Sequence, residues 1–301
     1  MRNLVLLAFL GFIAQMVDGS LGMAYGVTST TLLLSVAALT PALASTVVHI
    51  SEVGTTAASG VSHWRFGNVD WGKVLWLAVP GGIGAFLGAV VLVNIIDAAM
   101  AEPFVAIFLF LLGGYVLARF AFNRTSEIVS HLPISRKFLT PLGFVAGFLD
   151  AAGGGGWGPI STPTLLSSGR MEPRRVVGTV DTSEFIVALC ASIGFLISLS
   201  FADVPWGVVG ALLAGGIVAA PMAAWVVRHL NARVLGTAVG GFILLVNANT
   251  FFSAVGISGA AATIAYIAIV AVWVVALYFA ISALRRDREP VIEPEAARVP
   301  E

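Results

Sequence analysis

Residues 143–158 read GFVAGFLDAAGGGGWG, and residues 11–26 read GFIAQMVDGSLGMAYG. At an offset of 132 residues, Gly11-Phe12 falls on Gly143-Phe144, Asp18 on Asp150, Gly22 on Gly154, Tyr25 on Trp157 and Gly26 on Gly158. The same offset continues without a gap, setting Ser29-Thr30 on Ser161-Thr162, Pro41 on Pro173 and Ser51-Glu52 on Ser183-Glu184. A gapless match over about forty residues of such mixed chemistry marks an internal duplication.

In each copy an apolar run meets an Asp and then glycines, four in a row at Gly153–Gly156. Glycine costs a helix backbone freedom and adds no packing, so each run predicts a broken helix. At membrane depth, broken backbone persists only where protein or a wet cavity surrounds it. A pair of Gly-interrupted apolar segments in matching halves points to the binding site of a transporter.

Composition agrees. The 301 residues are 58% hydrophobic and 11% charged, with a mean hydropathy of +0.96, whereas soluble domains carry about 25% charged residues. The apolar runs do not alternate as barrel strands do, so the expected class is an all-α polytopic membrane protein embedded in a lipid bilayer. A net charge of zero suggests no nucleic-acid partner. Cys190 is the only cysteine, which excludes an intrachain disulfide and a cysteine metal cluster. No phosphate loop, zinc spacing or nucleophile motif is present, so neither an enzyme nor a cofactor is expected. Arg2 before an apolar stretch resembles a signal peptide, but that stretch belongs to the repeat.

The spans predict repeat 1 over 4–122, with a hairpin at 4–38 and helices at 42–61, 74–96 and 102–121. A cytoplasmic linker follows at 123–137. Repeat 2 covers 138–253, with a hairpin at 139–168 and helices at 176–199, 205–227 and 234–252. A final crossing at 257–284 precedes a charged, Pro-containing tail, 285–301, expected to be disordered.

Arg and Lys mark cytoplasmic loops. They stand at both ends of 138–168, as Arg136-Lys137 and Arg170, so this segment returns to the side it left. Arms of about 10–15 residues give roughly 15–22 Å of helix, short of the ~30 Å of hydrocarbon. A re-entrant hairpin is therefore expected, with two short full crossings as the alternative. Seven crossings and two hairpins follow, with the N-terminus outside and the C-terminus cytoplasmic. Three crossings per repeat make the two copies inverted. Arg2, then outside, counts against this orientation, and the other basic clusters outweigh it.

Asp18 and Asp150 precede the breaks. Ionisable groups in a membrane cost about 2.5–3.5 kcal/mol on insertion scales and mark function by default; as a structural alternative, each Asp accepts hydrogen bonds from the freed amides. Glu52 and Glu184 lie eleven residues after Pro41 and Pro173, about 16 Å along a helix and near the midplane. His49 and Asp181 stand three residues earlier, placing two titratable groups on one helical face. A site for a coupling proton or ion is one reading, and a buried neutral pair bonded to the hairpin is the other.

Helices restarting near Tyr25 and Trp157 offer unpaired N–H groups and the positive end of the helix dipole. Gly22, Tyr25, Gly26, Ser29 and Thr30, with Gly154, Gly155, Trp157, Gly158, Ser161 and Thr162, form a candidate anion cradle where two tips meet. Asn247 and Asn249 either line the cavity or cap their helix. Trp64, Trp71, Trp76 and Trp206 suit an interfacial aromatic belt.

On these hairpins, and on LASTVVHISEVGTTAASG and RRVVGTVDTSEFIVALCASIG after them, the chain resembles the TauE/SafE family over residues 4–280. The resemblance implies a secondary transporter of small sulfur-containing anions (sulfite, sulfoacetate or other sulfonates) in a bacterial or archaeal plasma membrane. Asp18, His49, Glu52, Asp150, Asp181 and Glu184 would couple it to protons or sodium. A channel, a carrier of another small carboxylate or inorganic anion, and an intramembrane enzyme built on His49–Glu52 are the competing readings. Apolar outer faces suit either lipid or a second copy of the chain.

Overall fold

Both glycine clusters break a helix at equivalent positions. In the computed structural model, α1 (Arg2–Leu21) and α2 (Tyr25–Ser35) are separated by residues 22–24, and α6 (Arg136–Gly153) and α7 (Trp157–Ser167) by residues 154–156. The other helices are α3 (Pro41–Arg65), α4 (Trp71–Asn94), α5 (Ala98–Phe122), α8 (Pro173–Ser198), α9 (Trp206–Val226), α10 (Ala232–Ala254) and α11 (Gly259–Arg286), with one 3-10 turn at Phe201–Asp203. The structure describes residues 2–35, 37–96, 98–122, 134–168, 170–226 and 232–286, and no strand occurs among them. Most of the expected linker and nearly all of the tail lie outside the described residues.

Six described helices are long and apolar enough to cross a membrane: within α1, α4, α5, α8, α9 and α11. The chain is therefore an all-helical, multi-pass membrane protein. The seven expected crossings did not include α1, and did include α3 and α10. At 25 residues α3 is long enough, but its row of buried polar side chains lowers its hydropathy.

The first arms of the two broken helices are also longer than the expected 10–15 residues. α1 has 20 residues and α6 has 18, about 30 and 27 Å. The additions are at the ends: α1 runs from Arg2 to Leu21, and α6 starts at Arg136, ahead of its apolar run, where Ser135 Oγ accepts from Lys137 N at 3.2 Å. The second arms, α2 and α7, have 11 residues each.

Helices of one repeat pack mainly on helices of the other. α1 lies along α9, and α4 along α6. Glycines let these backbones touch: a Cβ on Gly147 would fall 2.1 Å from the Gly81 carbonyl oxygen, and one on Gly215 would fall 1.8 Å from that of Ala8. Close approach of small residues supplies the dispersion contact that holds helices together in lipid, where apolar burial alone gives little. The homologous pairs run antiparallel. Along α3 and α8, His49 faces Phe195 while Gly60 faces Thr182. Along α5 and α10, Gly113 meets Ile243 while Gly236 meets Phe120.

α11 packs on α10 and α5 from outside, with Trp273 Nε1 donating to Thr237 O at 3.1 Å. Ile264, Val272 and Tyr278 on its outer side are exposed to the surroundings. Trp64, Trp71, Trp76 and Trp206 are exposed as well, and Arg136 lies over the Trp76 ring at 4.7 Å.

Candidate functional site

The two glycine breaks meet each other. Gly155 adopts a φ of 140°, and a Cβ there would fall 2.3 Å from Val27 N. Its neighbour relation is mirrored on the other side, where a Cβ on Gly158 would lie 2.4 Å from Met23 Cα. Gly154 sits against Thr30, and Gly22 against Thr162, whose hydroxyl donates to Gly22 O at 2.5 Å. Gly22 and Gly154 both adopt left-handed backbone. The third residue of each break differs: Gly156 in one copy is Ala24 in the other, held at a φ of 93°, a conformation that costs an L residue about 1–3 kcal/mol.

Each Asp holds the start of the next helix. Asp150 Oδ1 accepts from Gly156 N at 2.7 Å and Trp157 N at 3.0 Å. Asp18 Oδ1 accepts more loosely from Tyr25 N at 3.4 Å. The leading amides of both short helices are thus met by the chain's own carboxylates. Tyr25 and Trp157 are both buried, but the Trp157 indole N–H is already committed to Val180 O at 3.0 Å.

The six titratable candidates gather into two groups, each spanning both repeats. His49 and Glu52 of α3 join Asp150 of α6, and Asp181 and Glu184 of α8 join Asp18 of α1. In each group the side-chain donor atoms lie within 4.8 Å of one another, all buried. His49 Nδ1 is 2.7 Å from Ser45 O, an acceptor, so that nitrogen carries a proton. Its Nε2 is 3.0 Å from Asp150 Oδ2. That contact requires a second proton on one of its two atoms, so the pair holds one proton more than a neutral imidazole beside a carboxylate.

The other group has no imidazole of its own. Both Asp181 oxygens and Asp18 Oδ2 are buried without a hydrogen-bond partner, as are both Glu52 oxygens. Around the crossing the hydroxyls of Tyr25, Thr28, Ser29, Thr30, Ser59 and Ser161 are likewise buried and unpartnered. Native interiors leave few such groups, and each calls for water or a ligand. No Lys or Arg is among the buried residues described.

Sequence reasoning passed over Gln15, Ser59 and His63. His63 Nε2 lies 3.9 Å from Asp181 Oδ2 and 3.1 Å from Gly19 O. The available signal was spacing: Ser45, His49, Glu52, Thr56, Ser59 and His63 follow at intervals of 4, 3, 4, 3 and 4 on one face of α3. Asn247 neither caps α10 nor stands free. It donates to Thr31 Oγ1 at 3.0 Å and to Ile243 O at 2.9 Å, tying α10 to α2. The side chain of Asn249 lies outside the described residues.

Two Gly-broken helices that meet among buried acids inside a multi-pass bundle are the arrangement expected of a transporter's binding site. Comparison with known proteins agrees. Residues 7–250 match the family model described as sulfite exporter TauE/SafE. The chain is also 53% identical over 283 residues, 94% of each sequence, to a Bacillus subtilis (strain 168) protein described as "Probable membrane transporter protein YtnM". The chain belongs to the TauE/SafE family. No solved structure matches it.

Proposed function

We propose that this protein is a secondary transporter of a small sulfur oxyanion, sulfite or an organosulfonate such as sulfoacetate, moved together with protons through the crossing of the two tips. The carrying observation is the charge inventory of the site: Asp18, Glu52, Asp150, Asp181 and Glu184 surround it, and no buried Lys or Arg is described. Two like charges 4 Å apart repel by about 4 kcal/mol at an effective dielectric constant of 20. An anion can rest there only when carboxylates are neutralised, so substrate and proton enter together. The unpartnered hydroxyls of Ser29, Thr30 and Ser161 supply donors to substrate oxygens. Gly22, Gly26, Gly154, Gly155 and Gly158 let substrate approach the backbone, while Tyr25, Trp157 and Thr162 shape the walls.

In this reading the two repeats are inverted copies, which the antiparallel course of α3 against α8 and of α5 against α10 supports. The two broken helices are hairpins whose tips alternate between the membrane faces, and the basic loops place the C-terminus in the cytoplasm. The family's description as a sulfite exporter supports a sulfur oxyanion as substrate.

Counterflow in proteoliposomes tests the proposal. Labelled sulfite should exchange saturably against unlabelled sulfite or sulfoacetate, and not against acetate. Net uptake should be driven by an imposed pH gradient and lost when Glu52→Gln and Glu184→Gln are combined. Undiminished gradient-driven uptake in that double variant removes these residues from coupling. Current without saturation or counterflow identifies a channel.

A further inference from the structure

We propose that the polar face of α3 is a proton path that opens on one side of the protein only, with His63 as the relay between Asp181 and the loop after α3. The proposal rests on the proton-coupled reading above and adds the route and the side by which protons reach the buried acids.

Repeat symmetry makes the observation sharp. Ser45, His49, Glu52, Thr56, Ser59 and His63 are all buried, on one face of α3. Their counterparts on α8, at the offset of 132, are Val177, Asp181, Glu184, Ala188, Ala191 and Phe195. Beyond its glutamate, α3 continues as Thr, Ser and His, whereas α8 continues as Ala, Ala and Phe. The eleven residues from Glu52 to His63 span about 16 Å, so the polar face runs from the acids to the helix end. The matching route along α8 is closed by Phe195, fully buried, with its ring centroid 5.7 Å from that of His49.

His63 has the contacts a relay needs. Its Nδ1 accepts from Asn68 Nδ2 at 3.3 Å, and its Nε2–H donates to Gly19 O at 3.1 Å, with Asp181 Oδ2 at 3.9 Å on the same side. This is the neutral imidazole, with both nitrogens satisfied. Asn68 is buried, packed against Gly178 of α8, while Gly67 beside it is exposed, so the imidazole's partner stands next to the loop surface. The loop lies against the start of α8, where Asp70 N donates to Thr179 Oγ1 at 2.9 Å. The charged groups around His63 are Asp181 on α8, Asp18 next to Gly19 on α1, and the Asp70–Lys73 pair at the loop.

The transfer balances. When the Asn68 amide turns away, Nδ1 takes a proton from water at the loop, and the Nε2–H proton passes to an Asp181 oxygen. The carboxylate becomes neutral and the imidazole returns to neutrality with its proton on Nδ1. Ser59 Oγ, buried and unpartnered, stands one helical turn inward to hand protons on toward Glu52.

The test uses the full chain in proteoliposomes, with a pH jump on either side and a trapped pH dye recording proton uptake by the protein, no substrate being needed. Wild type should take up protons promptly from the side carrying Arg65 and Lys73 and slowly from the other. His63→Gln keeps a donor for Gly19 O but cannot relay, and should slow uptake by about tenfold or more while leaving labelled-sulfite counterflow in place. His63→Phe, which installs the residue found at the equivalent position of repeat 2, should do the same. Unchanged uptake kinetics in His63→Gln, or equal uptake from both sides in wild type, overturns the proposal. Slowed uptake in the variant with no sulfite counterflow in wild type would leave the path standing and sink the sulfur-oxyanion reading instead.

Discussion

The two acid groups beside the tips share an Asp and a Glu and differ in their third member, His49 in one and Asp181 in the other. The difference does not stay local. Where the third member is His49, Asp150 gains a proton-bearing partner and grips the start of α7 through two backbone amides. Where it is Asp181, Asp18 faces further carboxylates and holds α2 through one long contact. Each group has an imidazole nearby, but His49 lies within the first group whereas His63 stands outside the second, toward the surface. Duplication supplies a scaffold with two equivalent acid groups, and these substitutions make the groups unequal. In the transport cycle proposed above, the equivalence serves alternating access and the inequality gives the protons a direction.

The tips themselves carry the largest expected effect. Gly155 combines a φ of 140° with a Cβ position 2.3 Å from Val27 N, whereas its counterpart in the first tip, Met23, carries a side chain without difficulty. Gly155→Ala should therefore destabilise by about 2–6 kcal/mol through strain and overpacking combined, read as a large fall in melting temperature in detergent. Gly67→Ala is the control: its φ of 72° is also left-handed, but nothing lies within 4 Å of the new methyl, so only about 1–2 kcal/mol is at stake. Equal losses in the two variants would mean that the tips do not meet as described.

Next comes the third member of each acid group. His49→Asp would give the first group three carboxylates and leave Asp150 Oδ2 without its partner. Breaking a buried charged pair costs about 3–5 kcal/mol, more than the pair contributes over an apolar replacement. Asp181→His, the reverse exchange, adds a donor where three carboxyl groups already face one another, and should cost much less. Thermal unfolding of the two variants side by side checks the ordering. If Asp181→His proves the more damaging, the two groups are not specialised as argued.

Much of this architecture was legible in the chain. The breaks fall at residues 22–24 and 154–156 because glycine and the left-handed backbone it permits stop a helix in place, and Pro41 and Pro173 start α3 and α8 where a missing N–H does no harm. The arm lengths were not legible. Apolar runs mark where a helix is buried and not where it ends: α6 begins at Arg136, three residues before its apolar run, because Ser135 caps it. Nor did the sequence reveal that Asp150 would join His49 of the other repeat rather than Asp181 of its own. That pairing depends on α6 lying across α3, a tertiary fact with no local signature. His63 was within reach by spacing alone. It stayed hidden because comparing the repeats directs attention to matching residues, and its counterpart is a phenylalanine.

The smallest predicted effect divides structure from binding at a pair of threonines. Thr162 and Thr30 occupy the same place in the two repeats, and each packs against the first glycine of the opposite tip. Thr162 donates to Gly22 O at 2.5 Å, while the Thr30 hydroxyl is buried with no partner. Thr162→Val removes that bond and leaves a buried carbonyl unmet, which should cost about 1–2 kcal/mol of stability. Thr30→Val removes a hydroxyl that contributes nothing to the empty protein, so its melting temperature should stay the same or rise. If Thr30 holds an oxygen of the proposed sulfite substrate, the thermal stabilisation expected of sulfite on wild type should be lost in the same variant. A Thr30→Val protein that keeps the full sulfite response would exclude this hydroxyl from the anion seat and shift the search to Ser29 and Ser161.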